Sequence, residues 1–115
     1  METSIYTHRD ASYQKIYFVG ETDNIDKAIG FIDVFFESGV MIIGCIEVVP
    51  EYRNRGYGTS LIHYAINENK ENITMVILED ESKNVKKENN IYLKLGFVYT
   101  TENIMELDIT NYQLE

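Results

Sequence analysis

Residues 48–61 read "VVPEYRNRGYGTSL". An apolar run stops at Pro50, the only proline of the chain, and Arg53 and Arg55 lead into Gly56, Gly58, Thr59 and Ser60. From Tyr57 the apolar period changes, because Leu61, Ile62, Ala65 and Ile66 recur on one helical face. The stretch therefore reads as strand, short turn, helix. Glycine inside a helix costs roughly 1 kcal/mol relative to alanine, so Gly56 and Gly58 at a helix start need a reason. One reason is a ligand: the first N–H groups of a helix have no internal partner, the helix dipole makes that end positive, and bare backbone lets a phosphate reach it. The other is local, with Gly56 permitting a tight turn and Gly58 letting the helix approach the sheet. Two nucleotide motifs fail here. A dinucleotide fingerprint needs a third glycine where Leu61 stands, and a P-loop needs a lysine after Gly58, where Thr59 and Ser60 follow instead.

Outward from this junction, "YQKIYFVG" (13–20) alternates as a strand does. "AIGFIDVFFESG" (28–39) reads as a second strand, and its Glu37-Ser38-Gly39 turn closes a hairpin onto "VMIIGCIEVV" (40–49). That third run is apolar on both faces until Glu47, as in a central strand covered on both sides. Beyond the helix, "ITMVILED" (73–80) predicts a strand. "ESKNVKKENNIYLKLG" (81–96) predicts a second helix with Val85, Ile91, Tyr92 and Leu95 as apolar positions and Gly96 as its stop. "FVYTT" (97–101) and "IMELDI" (104–109) predict two short strands around a turn at Glu102-Asn103. The order β-β-β-α-β-α-β-β indicates an α+β domain, a mixed and mostly antiparallel sheet flanked by helices. Residues before 13 read as a loose N-terminus containing His8.

With 115 residues the chain is expected to form a single domain, 1–115, that buries roughly two-thirds of its unfolded surface. Its one cysteine, Cys45, makes no internal disulfide, and no His/Asp/Glu/Cys spacing indicates a metal. No apolar run nears the roughly 20 residues of a membrane span, and "METSIYTHRD" lacks a basic n-region. The expectation is a cytoplasmic protein that engages no membrane. The net charge of −9 argues against nucleic acid as a partner. It would steer a cationic substrate such as an amine, or simply keep a small protein soluble.

The stretch Arg53-Asn54-Arg55-Gly56-Tyr57-Gly58 resembles the acetyl-CoA site of the GNAT superfamily of N-acetyltransferases, whose signature is Arg/Gln-x-x-Gly-x-Gly/Ala, and Val48-Val49-Pro50 precedes it in the usual register. "IYLKLGF" (91–97) resembles that family's Leu-Tyr-x-Lys-x-Gly-Phe, and "MELDI" (105–109) its last strand. The resemblance implies a GNAT-like fold and an acetyl-CoA-dependent transfer to a small-molecule or peptide amine. It implies the cofactor pyrophosphate on the backbone of Arg55, Gly56, Tyr57, Gly58 and Thr59, with Thr59 and Ser60 adding hydroxyls and Arg53 and Arg55 adding charge. It also implies the pantetheine arm along Ile46 to Val48, where this strand and the next splay apart, and Tyr92 as the acid that protonates the departing thiolate. Family domains usually carry one or two helices between their first strands. Here "ETDNIDK" (21–27) is all that joins them, which implies an open acceptor site.

Each assignment has a plainer reading beside it. Arg53 and Arg55 would otherwise be solvated loop residues, and Tyr92 a packing residue beside Leu95. Glu47, the only ionisable side chain of its strand, is either the base that takes the amine's proton or an outward-facing residue. Cys45 reads as a small buried hydrophobe rather than a nucleophile, and His63 as a packing residue of the first helix. Sheet edges and exposed aromatics would allow a homodimer. The alternative function is a catalytically inactive CoA-binding or interaction module with the same fold, and a further one is an unrelated α+β binding domain.

Overall fold

The structure is a computed structural model that describes residues 2–80 and 91–112. Its organising unit is the hairpin of β3 (Gly30–Glu37) and β4 (Val40–Val48). Ser38 and Gly39 between them take φ of 51° and 79°, the positive pair that a two-residue type I′ turn requires. Glu37 accordingly faces Val40 at the head of the ladder. Outward on one side lie β2 (Gln14–Gly20) and β1 (Ser4–Asp10), both antiparallel. On the other side α1 (Tyr57–Asn69) carries the chain over to β5 (Met75–Glu79), which runs parallel to β4. After α2 (Ile91–Leu95), β6 (Val98–Tyr99) and β7 (Ile104–Asp108) complete a seven-stranded sheet in the order β1-β2-β3-β4-β5-β7-β6. This is the mixed, mostly antiparallel α+β sheet expected from the sequence.

The core lies on one face of that sheet. Leu61, Ile62, Ala65 and Ile66, the helical face read from the sequence, are fully buried in a cluster with Ile32, Val34, Met41, Val76 and Leu107. Tyr92 and Leu95 of α2 pack against the same cluster. The buried polar group on this face, Asn69, is satisfied: its amide donates to the Tyr17 hydroxyl at 3.0 Å and to the Ala65 carbonyl at 2.7 Å. On the opposite face Phe18 is buried and stacks on Tyr6 at 5.4 Å, whereas Phe31, Ile42 and Ile77 are only half buried.

Three expectations change. The N-terminus is not loose: residues 4–10 form β1, and His8 sits at a register shift within it, edge-on to Phe18 at 6.4 Å. The pattern hid this strand because it is an edge with mostly exposed side chains and its alternation slips at the bulge. The first two strands are therefore joined by residues 11–13, and "ETDNIDK" lies between the second and third. Nor is β4 covered along its length. Its register against β3 skips Gly44, so Asp33 pairs with Cys45 and Val34 with Ile43. Gly44 and Cys45 are exposed, so Cys45 is not the buried hydrophobe anticipated. Of the helix expected over 81–96, residues 91–95 are α2, while 81–90, with Val85, lie outside the described residues.

Candidate functional site

The turn after β4 is held back onto the strand. Pro50–Tyr52 form a single 3-10 turn, and the Arg53 Nε donates to the Val48 carbonyl at 3.0 Å. Gly56 is the N-cap of α1 at φ 87°, in the left-handed region, with open space where a Cβ would stand. Glycine is needed there for conformation, as the tight-turn reading held. Gly58 differs. A Cβ on it would meet Ile46 Cδ1 at 3.9 Å and Val48 Cγ2 at 4.0 Å, ordinary contact distances, so packing does not demand a bare backbone. No side chain caps the helix. The Ser60 N–H donates to Gly56 at 3.0 Å, which leaves the N–H groups of Tyr57, Gly58 and Thr59 ahead of the first helical bond.

These groups border a cleft of about 320 Å³, whose lining brings together Ile46, Glu47, Val48, Arg53, Gly56, Tyr57, Gly58, Thr59 and Tyr92. Of the residues singled out in the sequence, Arg55 and Ser60 do not line it. The Arg55 guanidinium lies over the Tyr52 ring at 5.3 Å, and Ser60 is exposed. A second cleft of about 330 Å³ opens where β4 and β5 part. Their parallel pairing ends at Ile43 and Leu78, immediately before the bulged Gly44. From there to Val48 the edge of β4 that faces β5 carries no ladder partner among the described residues. The two clefts meet at Ile46, Glu47 and Tyr92.

Tyr92 is held at that junction by the end of α2. The Gly96 N–H donates to Leu93 at 3.1 Å and the Phe97 N–H to Tyr92 at 3.1 Å, the paired bonds of a Schellman motif, with Gly96 at φ 105°. The Phe97 ring stands edge-on to Tyr92 at 6.1 Å. Burial, then the nearby Asp80 carboxylate and Cys45, push the Tyr92 phenol above its ordinary value of 10. A raised phenol stays protonated at neutral pH and is a hydrogen-bond donor. The sequence reading missed Asp80. Only 3% exposed, it lines the second cleft with Tyr92, receives the Tyr99 hydroxyl at 2.5 Å, and its N–H donates to Asn103 at 2.7 Å. Its one sequence signal is an acid directly after an apolar strand. Glu47 is exposed and lines both clefts. Cys45 lines the second, its thiol raised by burial, Glu47 and Asp33. His63 is remote from both clefts and meets the Tyr112 hydroxyl. Among the described residues no cluster of His, Cys, Asp or Glu could hold a metal, and no helix is long and apolar enough to cross a membrane.

Free amides at a helix start, a bare Gly58 and an unpaired strand edge suit a ligand with phosphates at one end and an amide-bearing arm at the other. Comparison with known proteins agrees with that chemistry. Residues 13–99 match the acetyltransferase (GNAT) domain family, whose members use acetyl-CoA. No curated protein sequence matches. Among solved structures, an acetyltransferase from Exiguobacterium sp. 255-15 superposes with a TM-score of 0.75 at 19% identity, over 96% of this chain and 95% of its own. The ribosomal-protein-S18-alanine N-acetyltransferase of Escherichia coli gives 0.68 at 18%, over 94% of each. A streptothricin acetyltransferase structure from Bacillus anthracis, in complex with acetyl coenzyme A, gives 0.69 at 26%; the match covers 86% of this chain and 64% of that one.

Proposed function

Because the chain belongs to the GNAT acetyltransferase family, we propose that it moves the acetyl group of acetyl-CoA to an amine by direct attack, as one domain in a cytoplasmic setting. The observation that supports this is the junction of the two clefts at the open edge of β4, both of which are lined by Glu47 and by Tyr92 with its raised phenol. Bound acetyl-CoA supplies an activated thioester there. The amides of Tyr57, Gly58 and Thr59 hold its pyrophosphate, helped by the Thr59 hydroxyl. Arg53 adds charge at the rim, while Arg55 and Ser60 act from outside the cleft lining. The backbone of Ile46 to Val48 aligns the arm as an added strand would. Glu47 takes a proton from the attacking amine. The Tyr92 hydroxyl gives one to the departing thiolate, so the new C–N bond forms as the C–S bond breaks.

The test is a thermal midpoint with and without acetyl-CoA, followed by thiol release over a panel of amines. A ligand at about 100 times its dissociation constant stabilises by roughly 2.7 kcal/mol, several degrees for a domain of this size. Tyr92→Phe is expected to keep that rise and lose kcat by about 10²-fold, within the usual range for a general acid. The short N-terminal half, in which three residues join β1 to β2 where family domains usually carry helices, favours the second reading, an inactive CoA-binding module. A midpoint rise with no thiol release on any amine would establish it.

A further inference from the structure

The segment between β2 and β3 builds a third cleft beside the proposed cofactor site. Ile25–Lys27 form a 3-10 turn whose N-cap, Asn24, accepts the Asp26 N–H at 3.0 Å, and the Ala28 N–H closes it onto Ile25 at 3.0 Å. Below it the β3–β4 pairing runs past the end of β4, since the Val49 N–H donates to Ile29 at 2.8 Å. A Cβ on Gly30 would stand 2.7 Å from the Glu47 carbonyl oxygen, so the floor is packed as tightly as backbone allows. Between this capped turn and Val49-Pro50 opens a cleft of about 410 Å³, within the size range of small-molecule sites.

The charges around it are unevenly placed. Its ionisable lining residues are Glu47 and Arg53, and both also line the cofactor cleft. Away from that shared border the wall is Ile25, Ala28, Ile29, Phe31 and Pro50, without an ionisable side chain. Resting on the transferase reading, we propose that this cleft seats the acceptor, and that the acceptor is a primary amine carrying an uncharged, apolar body. The ammonium meets Glu47 where the clefts join, and the apolar body lies against Ile25, Ala28 and Phe31. Burying apolar surface there is favourable, whereas a second ammonium would lose its water against side chains that offer it no counter-charge. The negative net charge of the chain draws the amine in, and the apolar wall selects among amines.

A pair of probes tests this: n-hexylamine and 1,6-diaminohexane, which share a six-carbon chain and differ by the second amino group at the far end. Two measurements are made, the midpoint rise each amine adds in the presence of free CoA, and kcat/KM by thiol release with acetyl-CoA. Hexylamine is expected to give the larger rise and a kcat/KM at least about tenfold higher, the scale set by small apolar differences in a pocket. Ile25→Ser and Ala28→Arg are expected to erase that preference while retaining the midpoint rise with acetyl-CoA, which shows that the variants fold. A diamine that binds and reacts as well as hexylamine, or a preference that survives both variants, overturns the acceptor assignment and leaves the transferase reading standing. Absence of turnover on every amine, with acetyl-CoA still bound, removes the transferase reading itself and this inference with it.

Discussion

Gly56 and Gly58 look alike in the sequence and are bare for different reasons. At φ 87° Gly56 answers to the backbone, so Gly56→Ala would be strained whatever the ligand. Gly58 has helical neighbours and ordinary room for a methyl group 3.9 Å from Ile46, yet it borders the cleft. Gly58→Ala should therefore stabilise the free protein, by up to about 1 kcal/mol since glycine is the poorer helix former, and retain acetyl-CoA binding, because the signature this stretch resembles accepts alanine at that position. Denaturant midpoints paired with acetyl-CoA titration check both. A loss of stability would return Gly58 to a packing role. Asp80 shows the reverse situation at the same scale. It reaches Tyr92 only through the fold, where it is bonded to the Tyr99 hydroxyl of β6 and to the Asn103 carbonyl in the turn before β7.

Among the elements, α2 has the narrowest task. Its last turn fixes Tyr92 through the Phe97 N–H and the left-handed Gly96, and a Cβ on Gly96 would also press on Leu107 Cδ1 at 3.3 Å. Gly96→Ala is thus expected to cost about 1 kcal/mol or more of stability and to lower kcat by a larger factor than it weakens acetyl-CoA binding, since it loosens the acid and leaves α1 untouched. Equal losses in both would mean that α2 does not position Tyr92. The elements legible in the sequence are those with strong local chemistry: the Ser38-Gly39 hairpin, the apolar stripe of α1, and the Gly96 stop. Edge strand β1 was not, since exposure leaves its alternation without a buried face to report it. The parting of β4 from β5 followed only from the family resemblance. Its local cause, the skipped Gly44, is a relation between two strands and has no signature in either one alone.

For the whole molecule, burial raises the phenols of Tyr17, Tyr64, Tyr92 and Tyr112, the last to about 12. A phenol of the unfolded chain releases its proton near pH 10, whereas in the folded state these hold theirs longer. The stability they carry is complete below pH 10 and is lost as the pH rises toward 12. Urea midpoints should accordingly fall over that window, and Tyr112→Phe should make the fall shallower. An unchanged slope in that variant would show that the packing of Tyr112 on His63 does not govern alkaline unfolding. The one-sided core points the same way. With α1 and α2 both on the face of Met41 and Leu107, tyrosines such as Tyr17 and Tyr64, 5.2 Å apart, fill space that apolar side chains usually fill.

Gly44 has a consequence for how such a chain could be altered. Because it is an extra residue in the ladder, Ile43 and Ile46 face the same side although three positions apart. Deleting it would leave every later side chain of β4 on its present side and turn an irregular strand into a regular one. Such a shortened chain would keep its core, extend the parallel ladder with β5, and close the gap through which donor and acceptor are proposed to meet. A single codon would then separate an opened sheet that can host chemistry from a tighter one that cannot, and selection for stability alone would favour losing it.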